Sequence, residues 1–198
     1  MNGTFFDIGL GLGLASACGL RPYLPTLLAG ALASSSALGV RFGGAHFGFL
    51  RSGWWLLAVA VVLAATYVAQ LRLAGRFDGV GSGMISGHAV AVGALLFAGT
   101  LAAHGETWWP GIVAGAAAAV LARVAVVPVL EGARARLPDR PAREALTLYL
   151  DAASLALAAL AALLHPLGYL APVLLAWLLV RVRARAGRKY AGLRIMRR

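Results

Sequence analysis

Residues 109–130 read WPGIVAGAAAAVLARVAVVPVL, and Arg123 is the one charged residue in this stretch. As an α-helix it would be about 33 Å long, which matches the hydrocarbon thickness of a bilayer. The run shows no alternation of apolar and polar residues, and an open sheet edge cannot face lipid. The stretch therefore predicts a membrane-spanning helix.

Six other apolar stretches come close to the spanning length of about 20 residues. Few residues separate the first two segments or the last two, so each pair can span the membrane or form a re-entrant hairpin. We predict an all-α, polytopic transmembrane helical bundle of about seven segments over 1–182, with a basic tail over 183–198. The segments are A (Gly3–Leu20), B (Pro22–Val40), C (Trp54–Leu73), D (Met84–Ala103), E (Trp109–Leu130), F (Leu146–Leu164) and G (Leu167–Val182).

The composition agrees with a membrane protein. Of the 198 residues, 61% are hydrophobic and 13% are charged, whereas about a quarter of the residues in a soluble domain are charged. Lipid must therefore be the solvent for much of the surface. Cys18 is the only cysteine, which excludes an internal disulfide and disfavours a cysteine-based metal site. The histidines lack metal-ligand spacing, so we expect no metal and no cofactor.

The basic residues predict the topology. With seven crossings, one side carries only Arg41 and Arg51. The other side carries 15 basic residues: Arg21, two in the C–D connection, four in the E–F connection and eight in 181–198. The positive-inside rule identifies this second side as the cytoplasm, with the N-terminus outside. The basic tail would lie on anionic lipid headgroups. The net charge of +11 is then explained by topology and lipid, and we expect no nucleic-acid partner.

Two parts of the chain share a spacing that is typical of an inverted repeat. Asp7 precedes Arg21 by fourteen residues, Asp151 precedes His165 by fourteen, and a proline follows each basic residue. On the predicted topology, A and F run in opposite directions, so hairpins A/B and F/G would form an inverted pair as in many secondary transporters. Each carboxylate would then face the basic turn of the other hairpin. The alternative is coincidence, because prolines are common at turns and Asp suits a helix start.

Polar residues at membrane depth are the candidate site, since charge inside a bilayer is costly and usually functional or paired. We expect one polar cavity on the cytoplasmic half, and the helix break at 19–22 would leave backbone groups free to bind an anionic group. The alternatives are snorkelling of the arginine in E to the headgroups and ordinary interhelical hydrogen bonds for the others. The candidate substrate-binding residues are Arg21, Tyr67, Gln70, His88, Arg123 and Asp151, and the candidate outer pair is Asp7 with His165.

Three glycine pairs have the small-xxx-small spacing that lets helix backbones approach closely. We expect tight packing within the bundle, with a homo-oligomer or a membrane partner as the alternative. The pairs are Gly9/Gly13, Gly83/Gly87 and Gly111/Gly115.

Residues 19–25 read GLRPYLP and residues 188–194 read RKYAGLR. Both stretches resemble the bacterial integral-membrane family known as domain of unknown function 4126, and the resemblance covers most of the chain. Members commonly carry an acidic residue and Asp-Lys near the end of the third helix, where this chain has Gln70 and Arg76-Phe77-Asp78. The resemblance implies a small protein of the bacterial cytoplasmic membrane, and it implies no particular activity.

The sequence contains none of the common catalytic motifs, such as His-Glu-x-x-His, a phosphate-binding glycine loop or Gly-x-Ser-x-Gly, so we do not expect an enzyme. We expect a transporter or translocator of a small or lipid-linked anionic solute. The alternative is a non-transporting membrane scaffold or accessory subunit that docks a partner through its small-residue helix faces. An internal polar cavity would favour the transporter, and a solid bundle would favour the scaffold.

Overall fold

The structure, a computed structural model, describes residues 3–72, 80–137 and 139–195. Within these ranges it is helical and contains no strand, so the predicted all-α class is confirmed. Short 3₁₀ turns lie at Ala37–Gly39, Gly48–Arg51 and His165–Tyr169. The helices are α1 (Thr4–Leu20), α2 (Tyr23–Ser34), α3 (Gly44–Phe47), α4 (Gly53–Arg72), α5 (Val80–Ala102), α6 (Trp109–Arg134), α7 (Arg140–Leu163) and α8 (Leu170–Ile195).

Segment B was predicted too long, because α2 already ends at Ser34. The hydroxyls of Ser34 and Ser35 both donate to the carbonyl of Ala31, and such side-chain bonds compete with the helical hydrogen-bond ladder. Ser36 then takes the left-handed conformation with φ 54°. A run of three serines therefore ends the helix six residues before the predicted Val40.

Segments F and G were predicted too short. Asp139 has extended backbone before α7, and Pro141 lies in the first turn of that helix. Backbone N–H groups in the first turn have no acceptor within the helix, so a proline there costs no hydrogen bond. At the other end of the chain, α8 continues to Ile195. Residues 183–195 of the predicted tail therefore extend a helix.

Three helices are long and apolar enough to cross a membrane in the described part of the chain: Trp109–Arg134, Pro141–Leu163 and His165–Ala184. Four shorter apolar helical stretches of 10–17 residues lie at Thr4–Leu20, Tyr23–Ser34, Gly53–Ala69 and Ser86–Ala102. Each of the seven predicted segments thus corresponds to a helix, but only E, F and G correspond to helices that meet this criterion for spanning.

Helices α1 and α7 run antiparallel along one another. The backbone of Gly9 lies against that of His165, and twelve residues later Arg21 meets Asp151. These contacts define two ends of the bundle, which we call the Asp7 end and the Arg21 end. The chain passes between them repeatedly: α4 brings Tyr67 to the Arg21 end, and α5 runs from there to the Asp7 end.

Glycines allow the closest approaches between helices. A Cβ on Gly168 would overlap the carbonyl oxygen of Gly9, and one on Gly13 would overlap the side chain of Ala161. A Cβ on Gly115 would lie 2.8 Å from the carbonyl oxygen of Gly93 on α5. The pairs Gly9/Gly13 and Gly111/Gly115 therefore serve packing within the bundle, as predicted.

Candidate functional site

The candidate site begins at the break between α1 and α2. Arg21 has extended backbone with φ −150° and ψ 119°, and Pro22 follows it without an N–H to continue the helical ladder. The chain turns back at this point, and α2 starts at Tyr23. The predicted break within 19–22 is confirmed, and it places the Arg21 side chain between helices rather than on a helix surface.

Arg21 and Asp151 form an ion pair inside the bundle. Arg21 Nε lies 3.1 Å from Asp151 Oδ1, and the two side chains are only 12% and 9% exposed. The pair is close without the alignment of a hydrogen bond at Nε. The Tyr67 hydroxyl donates to the other oxygen, Oδ2, of the same carboxylate. The predicted proximity of Arg21 to Asp151 is thus confirmed, and Tyr67 is part of the same cluster.

We call Arg21, Tyr67 and Asp151 the Arg21 cluster, and two further residues extend it. Tyr23 Oη and Thr66 Oγ1 lie 3.2 Å apart. A cavity of about 10 Å³ lies between them and the ion pair, with Leu24 and Leu63 as its apolar walls. That volume is roughly what one water molecule needs. In this conformation the cluster therefore has room for water and not for a larger solute.

His88 lies on α5 beside the cluster, with its ring centroid 5.4 Å from that of Tyr23. It does not line the cavity itself. Gln70 lies in the last turn of α4, and its side chain falls outside the described part of the structure. The structure therefore brings His88 next to the predicted site residues and gives no placement for the Gln70 amide.

Arg123 adds a second guanidinium near the first. Gly19 packs directly on Ala119 and Ala122 of α6, and this contact brings Arg123 close enough to Arg21 for the two charges to interact. Arg123 is half-buried, and none of the described carboxylates pairs with it. The Arg21 cluster and Arg123 together thus hold two arginines and one carboxylate, an excess of positive charge that suits an anion.

The Asp7 end holds a second polar cluster. Asp7 is buried, and its Oδ2 lies 2.9 Å from Nδ1 of His104. His165 is buried as well and lies within electrostatic range of the Asp7 carboxylate. Asp7 and His165 therefore lie near each other as predicted, but among the described residues the basic group closest to Asp7 is His104. We call Asp7, His104 and His165 the Asp7 cluster.

Sequence reasoning missed Tyr23 and Thr66 at one end and His104 at the other. His104 could have been found from parity, because the D–E connection lies on the same side as the start of segment A. Tyr23 stands directly after the Arg21-Pro22 break, which would have marked it. No sequence signal singles out Thr66, since its place depends on how α4 packs against α2.

Comparisons with protein-family models, with curated proteins and with solved structures found no match to this chain. The resemblance to domain of unknown function 4126 therefore stays a prediction. Among the described residues, no group of three or more His, Cys, Asp or Glu side chains is placed to hold a metal ion. The site has to be interpreted from its own geometry, as two clusters joined by α1 and α7.

Proposed function

We propose that the chain is a multi-pass protein of the bacterial cytoplasmic membrane that transports or translocates a small or lipid-linked anionic solute. The solute would bind at the Arg21 end, between Arg21 and Arg123. One observation carries the proposal: a buried Arg21–Asp151 pair at a helix break lies beside an arginine with no carboxylate partner among the described residues.

The membrane setting is supported by composition and by the course of the chain. Successive long helices run between the two ends, and the E–F connection, which is predicted to be cytoplasmic, falls at the Arg21 end. Arg134, which contacts Thr147 there, belongs to the basic E–F connection. Helix α2, with 12 residues, is only about 18 Å long, so α1 and α2 would form a hairpin that preserves the seven-crossing parity. The N-terminus would then be outside and the C-terminus in the cytoplasm.

The charge balance supports an anionic solute. Burying an ion away from water is strongly unfavourable unless the ion is paired, and charged residues within membrane segments commonly mark a substrate pathway. Asp151 neutralises one of the two arginines, and no other carboxylate in 3–72, 80–137 or 139–195 pairs with the second. The N-terminus of α2 at Tyr23 adds the positive end of a helix dipole at the same place. An incoming anion would restore neutrality.

The size of the cavity supports a mechanism in which the site must open. A space of about 10 Å³ cannot admit a solute, so Asp151 and Tyr67 must move away from Arg21 first. The hairpins α1/α2 and α7/α8 are the natural moving parts, because the ion pair joins one to the other. If they are an inverted repeat, rocking of one against the other would expose the site alternately to each side.

The alternative, a scaffold that docks a partner through small-residue faces, retains one candidate surface. Gly9/Gly13 and Gly111/Gly115 are already occupied by helices of the same chain. Gly83 and Gly87 meet no atom of the described structure within 4 Å. A partner helix could pack there, so this alternative stays open for that pair alone.

A cysteine-labelling experiment separates the two functions. In a Cys18→Ala background, Thr66→Cys places a thiol in the wall of the cavity. Anionic and cationic methanethiosulfonates of similar size are then added to inside-out membrane vesicles. A transporter should open and react, and the anionic reagent should react about tenfold faster because a positive site attracts it.

The matched variants are Arg123→Gln, which should abolish the charge preference, and Arg51→Gln, an exposed arginine at the Asp7 end, which should leave it unchanged. A thiol that never reacts would argue for a solid scaffold. Equal rates with both reagents would contradict the anionic solute. Single cysteines at Gly48 and Gly132, where side chains have open space, test the topology, because impermeant reagents should reach only the former in intact cells.

A further inference from the structure

The Asp7 cluster contains polar atoms that have no hydrogen-bond partner in the described part of the chain. Asp7 Oδ2 lies 2.9 Å from His104 Nδ1, without the alignment of a hydrogen bond. His165 Nδ1 is buried and has no hydrogen-bond partner among the described residues. Buried polar atoms without a partner are uncommon in folded proteins. Two of them in one cluster indicate a ligand that the described protein atoms do not supply.

The elements around Asp7 contribute few charged groups. The α5–α6 connection supplies His104 and Glu106, and the 3₁₀ turn after α7 supplies His165. Thr4 donates a hydrogen bond of 2.8 Å to Glu106, which holds that carboxylate at the surface. Asp7 is itself the single charged residue of α1. The cluster is therefore one carboxylate and two imidazoles, of which Asp7 and His165 are buried and His104 is partly exposed.

The chemistry of these groups fits a proton better than a metal ion. The described residues offer no three ligands arranged for a metal. Histidine is the side chain whose charge changes between about pH 5 and 8. When both imidazoles are neutral the three residues carry a net charge of −1, and one added proton makes them neutral. Burial favours that neutral state, because an unpaired buried charge is unfavourable.

The exposure of the three side chains describes a route from solvent. The side chain of His104 is 30% exposed, while that of Asp7 is 8% exposed. His165 is as buried as Asp7, and its ring lies beside the loop at Gly39. A proton arriving from water would therefore meet His104 first and then Asp7.

We propose that Asp7, His104 and His165 form a proton-binding site that opens to the outer face of the membrane and takes up one proton per chain. The same two helices carry this site and the Arg21–Asp151 pair, so a change in the contact between α1 and α7 at one end would reach the other. The site would thus bind the coupling ion of the transporter, a role that rests on the proposed function. Proton binding itself does not depend on it.

The test measures proton uptake by the full-length protein in lipid nanodiscs, in weak buffer with a pH-indicating dye, between about pH 8 and 5. An ordinary aspartate is ionised throughout this range, so removing one should change nothing. We expect Asp7→Asn to take up as much as about one proton fewer than the wild type, because the imidazoles lose the carboxylate that favours their protonation. Asp7→Glu should retain the uptake.

Asp139→Asn is the matched control, since Asp139 is an exposed carboxylate, and it should leave uptake unchanged. Equal uptake by Asp7→Asn and the wild type would overturn the proposal.

If Asp7→Asn does not fold, NMR of the histidine rings of the wild-type protein decides instead. His104 and His165 should then titrate together in linked steps, as coupled groups do. Independent single titrations of His104 and His165 would refute the site. None of these measurements uses a solute, so a failed transport assay leaves their result intact.

Discussion

The two ends of the α1/α7 pair have similar arrangements of charged residues but different basic groups. Each end has a buried aspartate from one helix beside a basic residue at the break of the other hairpin. At the Arg21 end that residue is an arginine, which keeps its charge at any accessible pH. At the Asp7 end it is His165, and His104 of the α5–α6 connection lies closer still; the charge of a histidine depends on pH. One backbone arrangement thus supports a permanently charged site and a titratable one.

The ends also differ in how they are packed. At the Asp7 end, Gly9 and Gly168 bring two backbones into direct contact, and no side chain separates them. At the Arg21 end, side chains fill the space and leave the small cavity beside Tyr67 and Asp151. If the Arg21 end opens as proposed, the glycine contact between α1 and the 3₁₀ turn His165–Tyr169 would be its pivot. The predictions below test this contrast.

The largest effect is expected at the ion pair. Asp151→Asn leaves Arg21 buried without its counter-ion, which should lower the free energy of unfolding by about 3–5 kcal/mol. Adding Arg21→Gln should restore part of the loss, because no unpaired charge then remains. Unfolding of the purified protein in mixed micelles, followed by circular dichroism, measures all three variants. A double variant whose loss equals the sum of the single losses would mean that the residues are not coupled.

A comparable effect is expected at the glycine contact of the Asp7 end. Gly168→Ala would force a methyl group onto the carbonyl oxygen of Gly9, and overpacking of this kind costs about 3 kcal/mol or more when the backbone must move. Gly132→Ala is the control, because its methyl group would enter open space within a helix. It should be neutral or stabilising by up to about 1 kcal/mol. Equal stability of the two variants would contradict a tight pivot at Gly168.

Much of this arrangement can be predicted from the local sequence. The all-α class, seven helical segments, the break at Arg21-Pro22 and the Arg21–Asp151 contact all follow from apolar runs, proline chemistry and spacing. The exact helix ends do not. The serine hydroxyls after α2 compete with the helical hydrogen bonds, and α7 begins at Arg140 beside Pro141, before the apolar run that marked segment F. The partner of Asp7 was also missed. Two histidines lie at that end, and only tertiary packing decides that His104 is the closer one.

An intermediate effect is expected at Tyr67. Its hydroxyl donates to the buried Asp151 carboxylate, and hydrogen bonds to charged groups contribute about 2 kcal/mol. Tyr67→Phe should therefore destabilise the protein by that amount in the same unfolding experiment. Tyr149→Phe is the matched control, since Tyr149 is 76% exposed, and it should have no measurable effect. If the two variants behave alike, Tyr67 does not hold the carboxylate in place.

The smallest effect is expected at His104. Its side chain is 30% exposed, so water and salt screen its contact with Asp7, and pairs of that kind contribute less than about 1 kcal/mol. His104→Gln should therefore lower stability only slightly, and added salt should reduce the difference from the wild type further. The Arg21–Asp151 pair is shielded from the solvent, so the loss in Asp151→Asn should persist at the same salt concentration. The contrast between a permanently charged end and a titratable end predicts that the loss of stability is larger in Asp151→Asn than in His104→Gln. A His104→Gln loss as large as that of Asp151→Asn, and equally insensitive to salt, would mean that the Asp7 cluster is a fixed structural ion pair. Its proton would then be held too tightly to exchange with the outer solution.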